Sequence, residues 1–158
     1  MKKRGSSNTT LTPLPQVAAL PVRRKGDGDI EVLLITSRKT NRWIIPKGWP
    51  MKGKKRHEAA AQEALEEAGI SGHVHKKPLG SYVYWKRRDA RFDLCSVEVY
   101  QLDVERQTDV FLEKGQRKAI WVDLSNATSL TEEPGLRAIL LKLAGDAHRV
   151  ENANVMGS

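Results

Sequence analysis

An alanine-rich segment that places three of its glutamates on one face and ends at a glycine constrains the fold of this chain most. Residues 57–68 contain five alanines, one leucine and neither glycine nor proline, so they predict a helix that Gly69 ends. The helix places Glu63, Glu66 and Glu67 at positions i, i+3 and i+4, on one face. Alanine side chains let a helix pack closely on a sheet. The sequence therefore predicts a rigid row of carboxylates.

The rest of the chain is typical of strands with one more helix. Lys47–Lys55 contains Gly48, Pro50 and Gly53, which predicts an irregular functional loop. Alternating or β-branched runs predict strands, and a last amphipathic helix should run from Glu133 to about Ala144; the strand ranges are 16–22, 31–36, 43–45, 73–86, 92–104 and 119–122. This order favours an α/β fold of the α+β sandwich type, with a mixed sheet between helices.

The length of 158 residues fits one domain, which we place at residues 15–146. Residues 1–14 are polar and basic and predict a flexible tail, and residues 147–158 predict a C-terminal tail. The single cysteine, Cys95, excludes an internal disulfide and is interpreted as a small buried hydrophobic residue. No apolar run is long enough for a membrane span, and the N-terminus does not resemble a secretory signal. A soluble cytoplasmic protein is the expectation.

The charge distribution indicates a local anion site rather than a nucleic-acid-binding surface. The net charge is +8, but residues 1–26 hold six basic side chains and no acid, leaving 21 basic against 19 acidic side chains elsewhere. Residues 32–57 carry eight basic side chains and no acid, whereas residues 58–72 carry four glutamates and no base. A basic surface beside packed carboxylates suits an anionic substrate handled through divalent cations. A nucleic-acid partner is disfavoured.

The three glutamates admit two interpretations. They could form a solvated acidic helix face, which is the common role of such a cluster. Alternatively, because like charges at this spacing repel, they could be offset by hard divalent cations with oxygen ligands, Mg²⁺ or Mn²⁺. Lys54, Lys55 and Arg56 crowd the start of the helix, where the helix dipole prefers anions, and this favours the second interpretation.

The stretch from Gly48 to Ile70 resembles the Nudix box, G-x5-E-x7-R-E-U-x-E-E-x-G-U, in which U is apolar. Gly48 falls on the first glycine, residues 63–70 reproduce the second half, and residues 43–48 fit the usual lead-in. Two positions depart from the motif: Lys54 stands in place of its first glutamate, and Gln62 in place of its arginine. In that family the arginine helps to orient the glutamates, so Gln62 affects the expected rate more than metal binding. Glu58 could take over from the glutamate missing at Lys54.

The resemblance implies metal-dependent hydrolysis of a phosphoanhydride bond. Glu63 and Glu67 would bind the metal together with a backbone carbonyl at Gly48, and Glu66 would be the general base or a further metal ligand. Glu98 or Glu113 could supply a further acidic ligand. Metal ions neutralise bridging phosphates and activate water, and a carboxylate takes the proton.

Within the family the chain looks most like the diphosphoinositol polyphosphate and diadenosine polyphosphate phosphohydrolases. That likeness implies cationic contacts to a highly charged substrate from basic residues in several loops, namely Arg38, Arg42, Arg88, Arg91 and Lys118. A nucleotide-sugar or RNA 5′-end pyrophosphohydrolase is an alternative substrate class. A catalytically weak polyphosphate-binding module is an alternative of a different kind, suggested by Lys54 and Gln62.

Overall fold

The computed structural model describes residues 12–156, with side chains to residue 147. Eight strands and three helices follow one another within these residues. Their bounds are β1 Leu14–Arg24, β2 Ile30–Thr36, β3 Trp43–Ile44, β4 Lys47–Gly48, α1 Arg56–Ala68, β5 Ile70–Val74, β6 Gly80–Arg88, β7 Arg91–Gln107, β8 Ala119–Asp123, α2 Leu124–Leu130 and α3 Pro134–Met156.

The strands form one mixed sheet organised around β1 and β7. These two strands run parallel, with Leu14–Val22 in register with Cys95–Asp103. The other pairings are antiparallel: β2 with β1, β3 and β8, β4 with β1, and β5 and β6 with β7. The short β4 adjoins β1 through Val17↔Gly48 and Ala18↔Lys47, which holds the segment before α1 against the centre of the sheet.

Helices cover both faces of this sheet. On one face, four alanines of α1 pack with aliphatic side chains of the inner strands, including Val17, Leu33 and Leu102. On the other, Leu136 and Leu140 of α3 pack on a second apolar set. Cys95 is fully buried, as predicted. The α+β sandwich with a mixed sheet between helices is confirmed.

Both ends of α1 have specific backbone partners. At its start, the Glu58 carboxylate accepts a hydrogen bond of 2.8 Å from the Lys55 amide. At its end, Gly69 adopts the left-handed conformation (φ 70°) and donates to the carbonyls of Ala64 and Leu65. Glu58 thus binds the helix start itself, four residues beyond the motif position occupied by Lys54.

Four details of the predicted elements were wrong. Lys47–Gly48 is a short strand rather than irregular loop, because its backbone pairs with β1. The single strand predicted over residues 73–86 is two strands, β5 and β6. Helix α2 was missed. Helix α3 continues past Ala144 to Met156, through most of the predicted C-terminal tail. The predicted tail over residues 1–14 lies mostly outside the described residues. None of the helices within residues 12–156 is long and apolar enough to cross a membrane.

Candidate active site

The carboxylate of Glu63 lies directly against the backbone of Gly48. The β4–β1 pairing brings Gly48 beneath α1, and a methyl group built on it would overlap the Glu63 carboxylate. Only glycine lets the two approach this closely, which explains the residue type at position 48. The structure therefore brings together Gly48 and Glu63, two of the predicted metal ligands.

The carboxylate of Glu67, the third predicted ligand, is buried and held at both oxygens. Its Oε1 accepts a hydrogen bond of 3.2 Å from the Lys47 amide. Its Oε2 lies 3.4 Å from Nη2 of Arg117, and both side chains are less than one tenth exposed. Glu63 lies one helical turn before Glu67 on the same side of α1.

Crowding and burial raise the proton affinity of these carboxylates. Burial raises the pKa of Glu67 to about 7, and the Arg117 guanidinium only partly opposes this. Burial, followed by the negative charge of Glu66, also raises the pKa of Glu63. Desolvation of a carboxylate disfavours its charged form unless a cation is supplied. Helix α1 thus presents two carboxyl groups whose ionised forms require positive charge nearby.

The predicted general base, Glu66, points to a different partner. Its Oε2 accepts a hydrogen bond of 2.7 Å from the Gln62 amide one turn earlier. In the part of the chain that the structure describes, no three His, Cys, Asp or Glu side chains form a ready-made metal-binding group. The donors at the site are nevertheless all hard oxygens, from Glu63, Glu67 and the Gly48 backbone, which is the chemistry that Mg²⁺ and Mn²⁺ prefer.

Arg117 is a site residue that the sequence did not single out. Beyond its ion pair with Glu67, its Nε contacts Glu113 Oε1 at 3.2 Å and its Nη1 donates to the Thr36 carbonyl at 3.0 Å. In the sequence it was one of several basic residues before a strand. One feature of the sequence could have identified it: Arg117 lies just before β8. Because β8 pairs with β2, a residue at this position lies beside the C-terminal end of β2.

The two candidates for a further acidic ligand lie in different surroundings. Glu113 pairs with Arg117 and raises the pKa of both Glu63 and Glu67 through its charge. The Glu98 carboxylate accepts a hydrogen bond of 2.9 Å from the Tyr100 hydroxyl, and it lies 3.4 Å from the Arg56 guanidinium. Glu113 therefore belongs to the electrostatic environment of the buried carboxylates.

Three of the predicted substrate-binding cations lie near the C-terminal end of β2 and the start of β8. Arg38 donates to Gln116 Oε1 at 3.0 Å and lies 3.9 Å from Glu113. Arg42 is exposed and donates to the Thr40 hydroxyl at 3.2 Å. The Lys118 side chain is exposed, while its backbone is tied to Thr36.

The other two, Arg88 and Arg91, lie on the β6–β7 hairpin and share one acidic partner. Arg88 lies 2.9 Å and Arg91 3.3 Å from the two oxygens of Asp93. Arg88 also stacks 5.2 Å from the ring centre of Trp49, the residue after Gly48. The hairpin thus reaches the loop that leads to α1, although its charge is partly neutralised.

A second cation absent from the predicted set is the Lys47 ammonium group. It lies 5.2 Å from the centre of the Tyr84 ring, and burial, with Lys86 nearby, lowers its pKa to about 8. Its amide binds Glu67 while its side chain lies on the Tyr84 side of β4. Its charge interacts both with Glu67 and with Lys86 of the β6–β7 hairpin.

Comparisons with known sequences identify a matching family and several relatives. A family model described as the NUDIX domain matches residues 12–143. From Arabidopsis thaliana, Nudix hydrolase 21, chloroplastic, is 33% identical over 127 residues, covering 78% of this chain and 63% of the relative. Nudix hydrolase 18, mitochondrial, is 31% identical over 117 residues, covering 70% and 65%. The chain thus spans just under two thirds of the length of these relatives.

Comparisons with solved structures agree on the fold. A Caenorhabditis elegans Ap4A hydrolase in a binary complex superposes with a TM-score of 0.62 at 20% identity, covering 84% of this chain and 96% of that one. An Escherichia coli dihydroneopterin triphosphate pyrophosphohydrolase gives 0.60 at 17%, covering 85% and 97%. The NUDIX domain of Shewanella oneidensis NrtR, complexed with ADP ribose, gives 0.57 at 14%, covering 93% of each.

The same relatives correct the expectation of a cytoplasmic protein. Those matched in sequence include chloroplastic and mitochondrial proteins. The expectation was a default, and these names remove its basis.

Proposed function

The chain belongs to the NUDIX family, and we propose that it hydrolyses a phosphoanhydride bond in a polyphosphorylated small molecule with the aid of Mg²⁺ or Mn²⁺. The observation that carries the proposal is the position of the buried Glu67 and the half-buried Glu63 one turn apart on α1, with the Glu63 carboxylate directly against Gly48. Burying two carboxylates together is unfavourable unless positive charge compensates them. A bound divalent cation would supply that charge and would explain why carboxylates are placed together here.

The residues that would hold the metal are Glu63, Glu67 and the backbone carbonyl at Gly48. A divalent ion bound there would neutralise bridging phosphate charge and lower the pKa of a bound water. Glu66 lies one residue before Glu67 on the same helix, and its role would be to accept the proton of the attacking water. The Gln62 amide fixes one oxygen of Glu66 and leaves the carboxylate able to take a proton.

The substrate we favour is a diphosphoinositol polyphosphate or a dinucleoside polyphosphate. The support is the set of cations around the site, contributed by the β2–β3 turn, the β6–β7 hairpin and the segment before β8; they are Arg38, Arg42, Arg88, Arg91 and Lys118. Such a substrate carries several phosphates, more than the metal site alone can neutralise. Residues 15–146 would form the catalytic unit.

The test is a metal-dependent phosphate-release assay across inositol pyrophosphates, dinucleoside polyphosphates and nucleotide sugars. We expect turnover with Mg²⁺ or Mn²⁺ that is abolished by a chelator, and highest kcat/KM for one of the first two classes. Highest activity on nucleotide sugars would refute the substrate assignment but keep the chemistry. No turnover with either metal across the panel would refute hydrolysis.

A further inference from the structure

The Arg117 side chain contacts three separate parts of the molecule through different nitrogens. Nη2 reaches Glu67 on α1, Nε reaches Glu113 in the preceding loop, and Nη1 binds the carbonyl of Thr36 at the end of β2. The side chain is 9% exposed. A buried guanidinium is costly unless it is paired, and here each of its three nitrogens has a partner.

Position 62 lacks the positive charge that the Nudix motif places beside these glutamates. Gln62 is neutral, and its amide is occupied by Glu66 rather than by Glu67. Among the ion pairs of residues 12–147, the cation at Glu67 is Arg117. Charge compensation at the buried carboxylate therefore comes from outside α1.

We propose that Arg117 is the positioning residue that holds the Glu67 carboxylate in its functional orientation, in place of the arginine missing at position 62. The inference rests on the proposed hydrolase function and adds a residue to its site. Arg117 contacts Oε2 of Glu67 while the Lys47 amide donates to Oε1, so each oxygen of the carboxylate has its own partner. Arg117 does not itself touch the reacting atoms.

The planar guanidinium is what makes this possible. Its nitrogens point in fixed, divergent directions and reach Glu67, Glu113 and Thr36 at once, whereas a lysine ammonium is a single point charge. Lysine at position 117 would keep the charge but lose part of the orientation. The two substitutions, to lysine and to glutamine, therefore separate charge from geometry.

The experiment compares Arg117→Lys, Arg117→Gln and the double variant Gln62→Arg/Arg117→Gln with the wild type. The readouts are kcat and KM on the best substrate of the panel, Mn²⁺ affinity and spectrum by electron paramagnetic resonance, and the melting temperature. The matched control is Arg23→Gln, which breaks an ion pair with Glu31 at the far end of the β1–β2 pair.

We expect Arg117→Gln to lower kcat by about 10- to 100-fold, with KM changed by less than about threefold, as is typical of groups that orient metal ligands. Arg117→Lys should lie between it and the wild type. Gln62→Arg should recover a substantial part of the lost kcat in the Arg117→Gln background, because a guanidinium again lies beside the carboxylates. The Mn²⁺ spectrum should change in Arg117→Gln and return toward the wild type in the double variant.

Several results would overturn the inference. An unchanged kcat in Arg117→Gln would do so. So would a loss of kcat that Gln62→Arg does not recover, or an equal loss of kcat in the control Arg23→Gln. If Arg117→Gln does not fold, full activity in Arg117→Lys overturns the geometric role, and a reduced kcat at wild-type melting temperature supports it. A wild type that binds Mn²⁺ without turnover refutes the proposed function alone, and the spectra then decide the role of Arg117. A wild type with neither turnover nor Mn²⁺ binding overturns both.

Discussion

Arginines occur in two contrasting regions of this molecule, the buried carboxylate site and the tip of the β6–β7 hairpin. Arg117 is 9% exposed and contacts three elements of the fold, whereas the Arg91 side chain is 72% exposed and pairs only with its neighbour Asp93 among the ion pairs described. Arg88 is intermediate, at 39% exposure, with Asp93 and the Trp49 ring as partners. All three belong to basic clusters of similar appearance in the sequence.

The difference teaches that burial and the number of fixed partners, rather than charge, decide what an arginine does. An exposed ion pair contributes little because water and salt screen it and the side chains lose entropy. Removal of one partner from a buried pair leaves an uncompensated charge, which is far more costly. The hairpin arginines are thus suited to meeting a mobile anion, and Arg117 to fixing a carboxylate.

The largest expected effect comes from removing a carboxylate of the buried site. Glu66→Gln and Glu67→Gln should each lower turnover by roughly 10²-fold or more, because an amide keeps the shape but loses the function of base or metal ligand. Steady-state kinetics, with circular dichroism to check folding, would measure this. Glu105 is an exposed glutamate on β7, so Glu105→Gln is the control and should retain wild-type turnover. Near-normal rates in both site variants would place the chemistry elsewhere.

An intermediate effect is expected from Gly48→Ala. The added methyl group overlaps the Glu63 carboxylate and must displace it, and small misplacements at a reacting centre can cost on the order of 10²-fold in rate. We expect kcat to fall by about tenfold or more. Gly26→Ala, where no atom lies within 4 Å of the added group, should leave kcat unchanged. If both variants behave alike, the contact between Gly48 and Glu63 has no role in activity.

The smallest effect is expected at the hairpin. Arg88→Ala/Arg91→Ala should raise KM for an inositol pyrophosphate by roughly fivefold and kcat little, because exposed charge contacts are each worth up to about 1 kcal/mol. The rise should be smaller for a dinucleotide, and the salt dependence of KM should weaken. Arg24→Ala/Arg106→Ala removes the same charge from other exposed positions and serves as control. Equal changes in KM for both substrates would indicate that the hairpin is a solvated turn with no role in substrate binding.

Much of the fold could be predicted from local sequence. Helix α1 was predicted to within one residue of its start, because alanines and a terminal glycine act through local propensity. Strands rich in β-branched residues, such as β2, were predicted because β propensity is also local. Helix α2 was not, since its Leu124 and Ala127 are held in the apolar cluster that includes Leu136 and Leu140 of α3, a long-range contact that local propensity does not reveal. The continuation of α3 beyond Ala144 was also missed.

The sequence by itself determined the row of glutamates, because helical spacing alone puts Glu63, Glu66 and Glu67 on one side of α1. Only the tertiary structure decided how these groups differ. Sheet pairing placed Gly48 against Glu63, and the ends of β2 and β8 brought Arg117, 50 positions after Glu67 in the sequence, to its carboxylate. The physical reason is that desolvation and ion pairing depend on which segments meet in space, and residues far apart in the chain carry no local signal of that meeting.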